Sequence, residues 1–78
     1  MNYILTHAVP WQGDPVEVAI WKVDEPRGRV SLVKRLLGKS TRDDVGASLD
    51  WARKYSIAIS DSVDKLIEEA TFFTLNKE

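Results

Sequence analysis

The chain has 78 residues, with 11 Lys and Arg against 12 Asp and Glu, a single His and no Cys. This length predicts one domain, residues 1–78, and disfavours a deep enclosed active site, because folding hides only roughly 60% of the surface of so short a chain. The absence of Cys excludes disulfides, thiolate zinc sites and cysteine nucleophiles, and favours a reduced, cytoplasmic protein. No apolar run approaches the ~20 residues that cross a bilayer, so no membrane association is expected.

Three β-strands are predicted in the first half of the chain. Tyr3–Val9 is rich in β-forming residues and is followed by Pro10. Val16–Val23 has apolar side chains on both faces, which predicts a strand in the interior of a sheet. Asp24–Gly28 is typical of a tight connection, and Arg29–Leu37 is the returning strand of a β-hairpin.

The third predicted strand divides its side chains between two faces. Arg29 and Arg35 share the outer face, together with Ser31 and Val33, if the alternation is regular. The inner face then has the mostly apolar positions Val30, Leu32, Lys34 and Leu36. Basic side chains are therefore expected to concentrate on one side of the hairpin.

Two helices are predicted in the second half. Ser40 or Thr41 is expected to cap the first, and Ser60 or Asp61 the second, with Ser56–Ile59 as a short link between them, for which an extended conformation is one alternative. The first helix has a core stripe of Val45, Leu49 and Ala52, and the second has a stripe of Val63, Leu66, Ile67, Ala70 and Phe73 at a period of 3.6 residues.

The order of these elements predicts an α+β fold. We expect a small antiparallel sheet of about three strands, including the β-hairpin, packed against two C-terminal helices that lie on one face. Tyr3–Val9 would then be an exposed edge strand, which permits a dimer without requiring one. Monomer and dimer both remain open at this stage.

Charge is segregated along the chain. Residues 22–54 sum to +4, whereas residues 1–21 and 55–78 sum to −2 and −3. Six basic residues without an intervening acid lie in the middle segment: Arg27, Arg29, Lys34, Arg35, Lys39 and Arg42. Such a stretch attracts phosphates or an acidic protein surface, and the alternative is a solvated strand edge whose charges prevent aggregation.

Four aromatic side chains exceed what one small core requires. Trp21 and Trp51 are assigned to the core, whereas Trp11 and Phe72 are candidates for either packing or partner binding. Phe72 lies opposite the apolar stripe of the second helix, beside the acidic residues at positions 68 and 69. Glu68, Glu69 and Phe72 thus form an alternative contact surface, which could compete with nucleic acid for a basic groove.

Catalytic and cofactor-binding patterns are weak. His7 is the single histidine, and no carboxylate lies near it in sequence to support acid–base or metal chemistry. Gly38-Lys39-Ser40 resembles the end of a phosphate-binding loop, but Val33 stands where that motif requires glycine. We therefore expect no enzyme activity, no metal and no cofactor.

A nucleic-acid-binding regulator is the alternative function. A strand followed by two helices is typical of some DNA-binding motifs, but the second helix exposes carboxylates that phosphates would repel. Arg29 and Arg35 on the outer face of the hairpin leave the basic β-ribbon as the candidate reader.

The chain resembles the small phage anti-CRISPR proteins of the type I-F inhibitor group. The resemblance rests on length, on a sheet followed by two helices, and on four short segments: Val18-Ala19-Ile20-Trp21, Arg29-Val30, Gly38-Lys39-Ser40 and Leu49-Asp50-Trp51. It implies a protein that binds a CRISPR surveillance complex and blocks target DNA recognition without catalysis. The expected function is therefore that of a small binding protein that occupies the surface of a larger protein or ribonucleoprotein, as a phage-encoded inhibitor of a host defence.

Overall fold

The computed structural model describes residues 2–8, 16–38 and 47–75, without the side chains of 73–75. Its strands are β1 (Tyr3–Ala8), β2 (Glu17–Asp24), β3 (Arg29–Leu37), β4 (Ala47–Ser48) and β5 (Ser56–Ser60). Its helices are α1 (Leu49–Lys54) and α2 (Val63–Leu75). The strands form one antiparallel sheet in the order β4-β3-β2-β1-β5, so the α+β class is confirmed. The described residues contribute five strands to this sheet, where about three were predicted.

The β2–β3 hairpin forms as predicted. A single 3-10 turn, Glu25–Arg27, connects the strands, and Gly28 follows in the left-handed region at φ 63°. A Cβ at this position would meet nothing within 4 Å, so the backbone conformation, and not lack of space, favours glycine.

The two strands at the N-terminal end both lie inside the sheet. β2 is interior, as predicted, and buries side chains on both of its faces. β1 pairs with β2 on one side and with β5 on the other, so the prediction that Tyr3–Val9 forms an edge is wrong. Residues 56–59, expected to be a link, belong to β5, and this strand occupies the edge instead.

The helices cover opposite faces of the sheet. The face that we call the α1 face buries Ile4, Ala19 and Trp21 against Leu49 and Ala52 of α1. The α2 face buries Leu5, Val18 and Ile20 against Leu66 and Ala70 of α2. The prediction of both helices on one face is therefore wrong, because the interior strands have apolar side chains on both sides and each side needs a cover.

Both helices begin later than predicted. Ser48 precedes α1, and its Oγ accepts a hydrogen bond from the backbone N–H of Trp51 at 3.1 Å. Ser62 precedes α2, and its Oγ accepts from the N–H of Lys65 at 3.4 Å. Ser62 therefore replaces Ser60 or Asp61 as the cap of α2. The other predicted caps, at positions 40 and 41, lie outside the described residues.

The aromatic core lies beneath α1. Trp21 is fully buried, and its ring meets that of Trp51 edge to face, with centroids 5.4 Å apart at 79°. Its Nε1–H donates to Oγ1 of Thr6 at 2.8 Å, and that hydroxyl donates to the carbonyl oxygen of Ala19 at 3.4 Å. Both tryptophans thus belong to the core, as predicted, and the polar edge of the buried indole has a partner.

Candidate interaction surfaces

The pairing of β2 with β3 decides where the basic side chains of β3 point. Val30 lies opposite Val23 on the α1 face, which leaves the neighbouring Arg29 on the α2 face. The register then shifts, and Arg35 lies opposite Ala19, which belongs to the α1 face. Arg29 and Arg35 therefore lie on opposite faces, contrary to the prediction, because one extra residue in a strand reverses the alternation beyond it.

Lys34 also lies on a different face from the one predicted. It is opposite Ile20, whose side chain is buried on the α2 face, whereas the alternation placed it with Val30. Lys34 is exposed, as is Arg29. These two cations share the α2 face of β3, and Arg35 does not belong with them.

Arg35 forms an ion pair with a buried carboxylate of the same chain. Its Nε lies 3.4 Å from Oε2 of Glu17, whose side chain is fully buried. The Arg35 side chain is itself only 21% exposed. Oε1 of Glu17 has no hydrogen-bond partner among the described residues. Because an unpaired carboxylate is costly to bury, this arginine stabilises the fold.

The remaining members of the basic stretch do not gather on one described surface. Arg27 is exposed at the hairpin turn, with its Nε 3.8 Å from Oδ2 of Asp24. Lys39, Arg42 and the aromatic candidate Trp11 lie outside the described residues. The described part of the chain therefore divides the basic side chains among the turn and the two faces of the sheet.

The acidic candidates are brought together on α2. Phe72 lies four residues after Glu68 and three after Glu69, which places its ring near both carboxylates on a helix. We call them the α2 acidic surface. All three are exposed, Phe72 to 68%, and they line a concavity of about 430 Å³. Neither carboxylate forms an ion pair within the described residues.

An apolar groove lies nearby, between α2 and the end of β3. Its volume is about 320 Å³, and its described lining consists of Val18, Leu36, Leu37, Ala70 and Thr71. Leu37 is 49% exposed at its rim. The groove places apolar surface on the same helix as the acidic surface.

The residues considered for catalysis and phosphate binding include His7, which lies in β1, and Gly38, which follows β3. His7 is half-buried in β1 opposite Val18, and no group of three potential metal ligands occurs among residues 2–8, 16–38 and 47–75. Gly38 has φ 82°, and a Cβ there would collide with the carbonyl oxygen of Val16. A close approach to the chain before β2 therefore explains this glycine. Neither α1 nor α2 is long and apolar enough to cross a membrane.

No match to this chain was found among known protein families, curated proteins or solved structures. We therefore infer function from the surfaces described above.

Two features of these surfaces were not predicted from the sequence. Glu17 was not singled out, because nothing in its local sequence distinguishes a buried carboxylate from an exposed one. β5 was predicted only as a short link with an extended alternative, although its alternation of small residues with isoleucine is typical of a strand. Its exposed Ile57 and Ile59 form a second apolar surface, away from α2.

Proposed function

We propose that this chain is a non-enzymatic binding protein whose α2 acidic surface occupies a basic region of a larger protein or ribonucleoprotein. The observation that supports the proposal is that Phe72 is exposed one turn after Glu68 and Glu69, on a helix whose opposite side is buried. An aromatic ring is a common anchor of protein interfaces, and flanking carboxylates select a positively charged partner.

The helix is suited to presenting such a surface rigidly. Leu66 and Ala70 fix α2 against the sheet, and Val63 and Ile67 pack at the margin of the same cluster. Binding groups on a packed helix lose little conformational freedom when a partner docks. The acidic side chains can therefore be exposed without depending on the partner for their position.

The partner class follows from the charge of this surface. A groove that binds nucleic acid is lined with Lys and Arg, and carboxylates can occupy it in place of phosphates. Together with the resemblance to anti-CRISPR proteins, this charge supports our proposal that the chain is a cytoplasmic, phage-encoded inhibitor of a host defence with an anti-CRISPR-like mode of action. In this mode the protein covers the site at which a surveillance complex would recognise target DNA.

Binding to a purified type I-F surveillance complex, with and without target DNA, tests the proposal. Phe72→Ala should weaken binding about 30-fold, the effect of losing an interface anchor of about 2 kcal/mol. Glu68→Lys combined with Glu69→Lys should weaken it about 100-fold through charge repulsion. The unmodified chain should compete with target DNA. Circular dichroism should show an unchanged fold in each variant, because all three side chains are exposed.

A matched reversal on β3 serves as the control. Arg29→Glu combined with Lys34→Glu changes the same number of exposed charges on another element, and binding should change less than about 3-fold. The opposite order of effects would place the contact on the β-ribbon, and no binding at micromolar concentration would reject the inhibitor proposal. A mobility shift with DNA alone that weakens steeply with salt would favour the nucleic-acid-binding alternative.

A further inference from the structure

The two edges of the sheet differ in how they could meet another strand. β4, at one edge, has two residues, whereas β5, at the other, has five. Among the described strands β5 pairs only with β1, so its outer row of backbone groups faces no described strand. β5 contains no charged residue and no proline, the side chains that commonly protect an edge from pairing.

Apolar side chains on β5 are also exposed. Ile57 is 40% exposed and Ile59 is 59% exposed, while Ala58 between them packs against the buried cluster of the α2 face. A register shift beside Leu5 and Thr6 makes Ile57 an extra residue relative to β1. The strand is thus anchored through its small central residue and exposes its two large ones.

The sequence of β5 reads the same in both directions: Ser56, Ile57, Ala58, Ile59, Ser60. In a two-fold dimer, a residue i of one copy that contacts residue j of the other is matched by a contact of j with i, so the interface must be self-complementary. Antiparallel pairing centred on Ala58 places Ile57 opposite Ile59 of the second copy, and serine opposite serine at both ends. β-branched pairs across neighbouring strands pack favourably.

The charges that flank β5 favour the same orientation. Exposed Arg53 and Lys54 precede the strand, and exposed Asp61 and Asp64 follow it. Antiparallel pairing brings the basic end of one copy beside the acidic end of the other, whereas parallel pairing would bring like charges together. Arg53 already contacts Glu25 at 3.2 Å, so Lys54 and Asp61 supply most of this complementarity.

We propose that β5 pairs antiparallel with β5 of a second copy of this chain, to form a two-fold dimer with one continuous sheet. The contact is short, and interfaces of this size are weak. We expect a dissociation constant on the order of 10 µM. The α2 acidic surface is not part of this contact, so the dimer would present two copies of it.

Sedimentation equilibrium over about 1–500 µM chain tests the dimer. The unmodified chain should pass from monomer to dimer, and Ile59→Lys should shift the midpoint at least about 10-fold higher by placing a charge at the edge. Val33→Lys is the matched control, because Val33 is also an exposed apolar strand residue, on β3, and it should leave the midpoint unchanged. A chain that stays monomeric throughout, or a dimer that survives Ile59→Lys, would overturn the proposal.

A crosslinking experiment tests the register independently. The chain has no Cys, so a cysteine introduced at one position reports that position alone. Ala58→Cys lies on the proposed two-fold axis and should give a disulfide-linked dimer on mild oxidation. Ser56→Cys should not, because it faces Ser60 of the second copy. Equal crosslinking of the two variants, or none with Ala58→Cys in the dimer, would reject this register.

Discussion

The two faces of the sheet are packed with different kinds of side chain. On the α1 face the buried residues include Trp21, Thr6 and Glu17, with a hydrogen bond between the first two and an ion pair at the third. The buried residues of the α2 face are aliphatic: Leu5, Val18, Ile20, Leu66 and Ala70. The α1 face therefore adds directional contacts to apolar burial, whereas the α2 face depends on apolar burial alone.

The difference matches the lengths of the covering helices. α1 has six residues, too few to be stable alone, and is held by its cap and by ring contacts. α2 has 13 residues, with an apolar stripe long enough to dock through burial. The outer side of α2 is consequently free to vary in charge, whereas changes on the α1 face disturb defined partners.

The largest effect on stability is expected from Trp21→Ala. The substitution removes a fully buried ring and the donor to Thr6, and should lower the free energy of unfolding by about 4 kcal/mol. Leu66→Ala, on the α2 face, should lower it by about 3 kcal/mol. Urea unfolding followed by circular dichroism at 222 nm measures both. If Leu66→Ala lowered the free energy of unfolding more than Trp21→Ala, the prediction that stability depends more on the α1 face would be contradicted.

A smaller loss of stability, which a second substitution can partly reverse, is expected from Arg35→Met. It leaves the buried carboxylate of Glu17 without its cation and should cost about 3 kcal/mol in the same unfolding assay. Adding Glu17→Gln should recover at least about 1 kcal/mol, because a neutral amide is less costly to bury. Arg29→Met should change stability by less than about 0.5 kcal/mol, since Arg29 is exposed. Equal losses of stability from Arg35→Met and Arg29→Met would contradict a stabilising role for the ion pair between Arg35 and Glu17.

The smallest of these effects is expected at the start of α1. Ser48→Ala removes the acceptor for the N–H of Trp51 and should cost about 1 kcal/mol. Ser48→Asp keeps an acceptor at that position and should retain most of the stability. Thermal unfolding compares the three chains directly. No difference between the alanine and aspartate variants would show that ring packing alone holds α1.

Elements with a strong periodic pattern were predictable from the sequence. Apolar residues on both faces of β2 indicated an interior strand, and the hairpin bounds of β3 were predicted correctly. The stripe of α2 also identified its buried residues, Leu66 and Ala70. These patterns reflect burial within a single element, which the local sequence records.

Features that depend on pairing between elements were not predictable in this way. A bulge in β3 moved Arg35 to the α1 face, and strand alternation does not reveal where a bulge lies. The identity of the edge strand depended on β1 pairing with β5, a contact between distant parts of the chain. The basic ribbon was therefore divided, while the α2 acidic surface, contained within one helix, came together as predicted.

The pairing of β1 with β5 also sets an order for folding. β1, β2 and β3 are joined in sequence as neighbours, whereas Tyr3 meets Ser60 only after a long loop closes. As the chain is synthesised, β1 therefore keeps one unpaired edge until β5 has emerged from the ribosome. We expect the meander to form first and the docking of β5 and α2 to complete the fold, so a stalled chain would expose the edge that the finished protein covers.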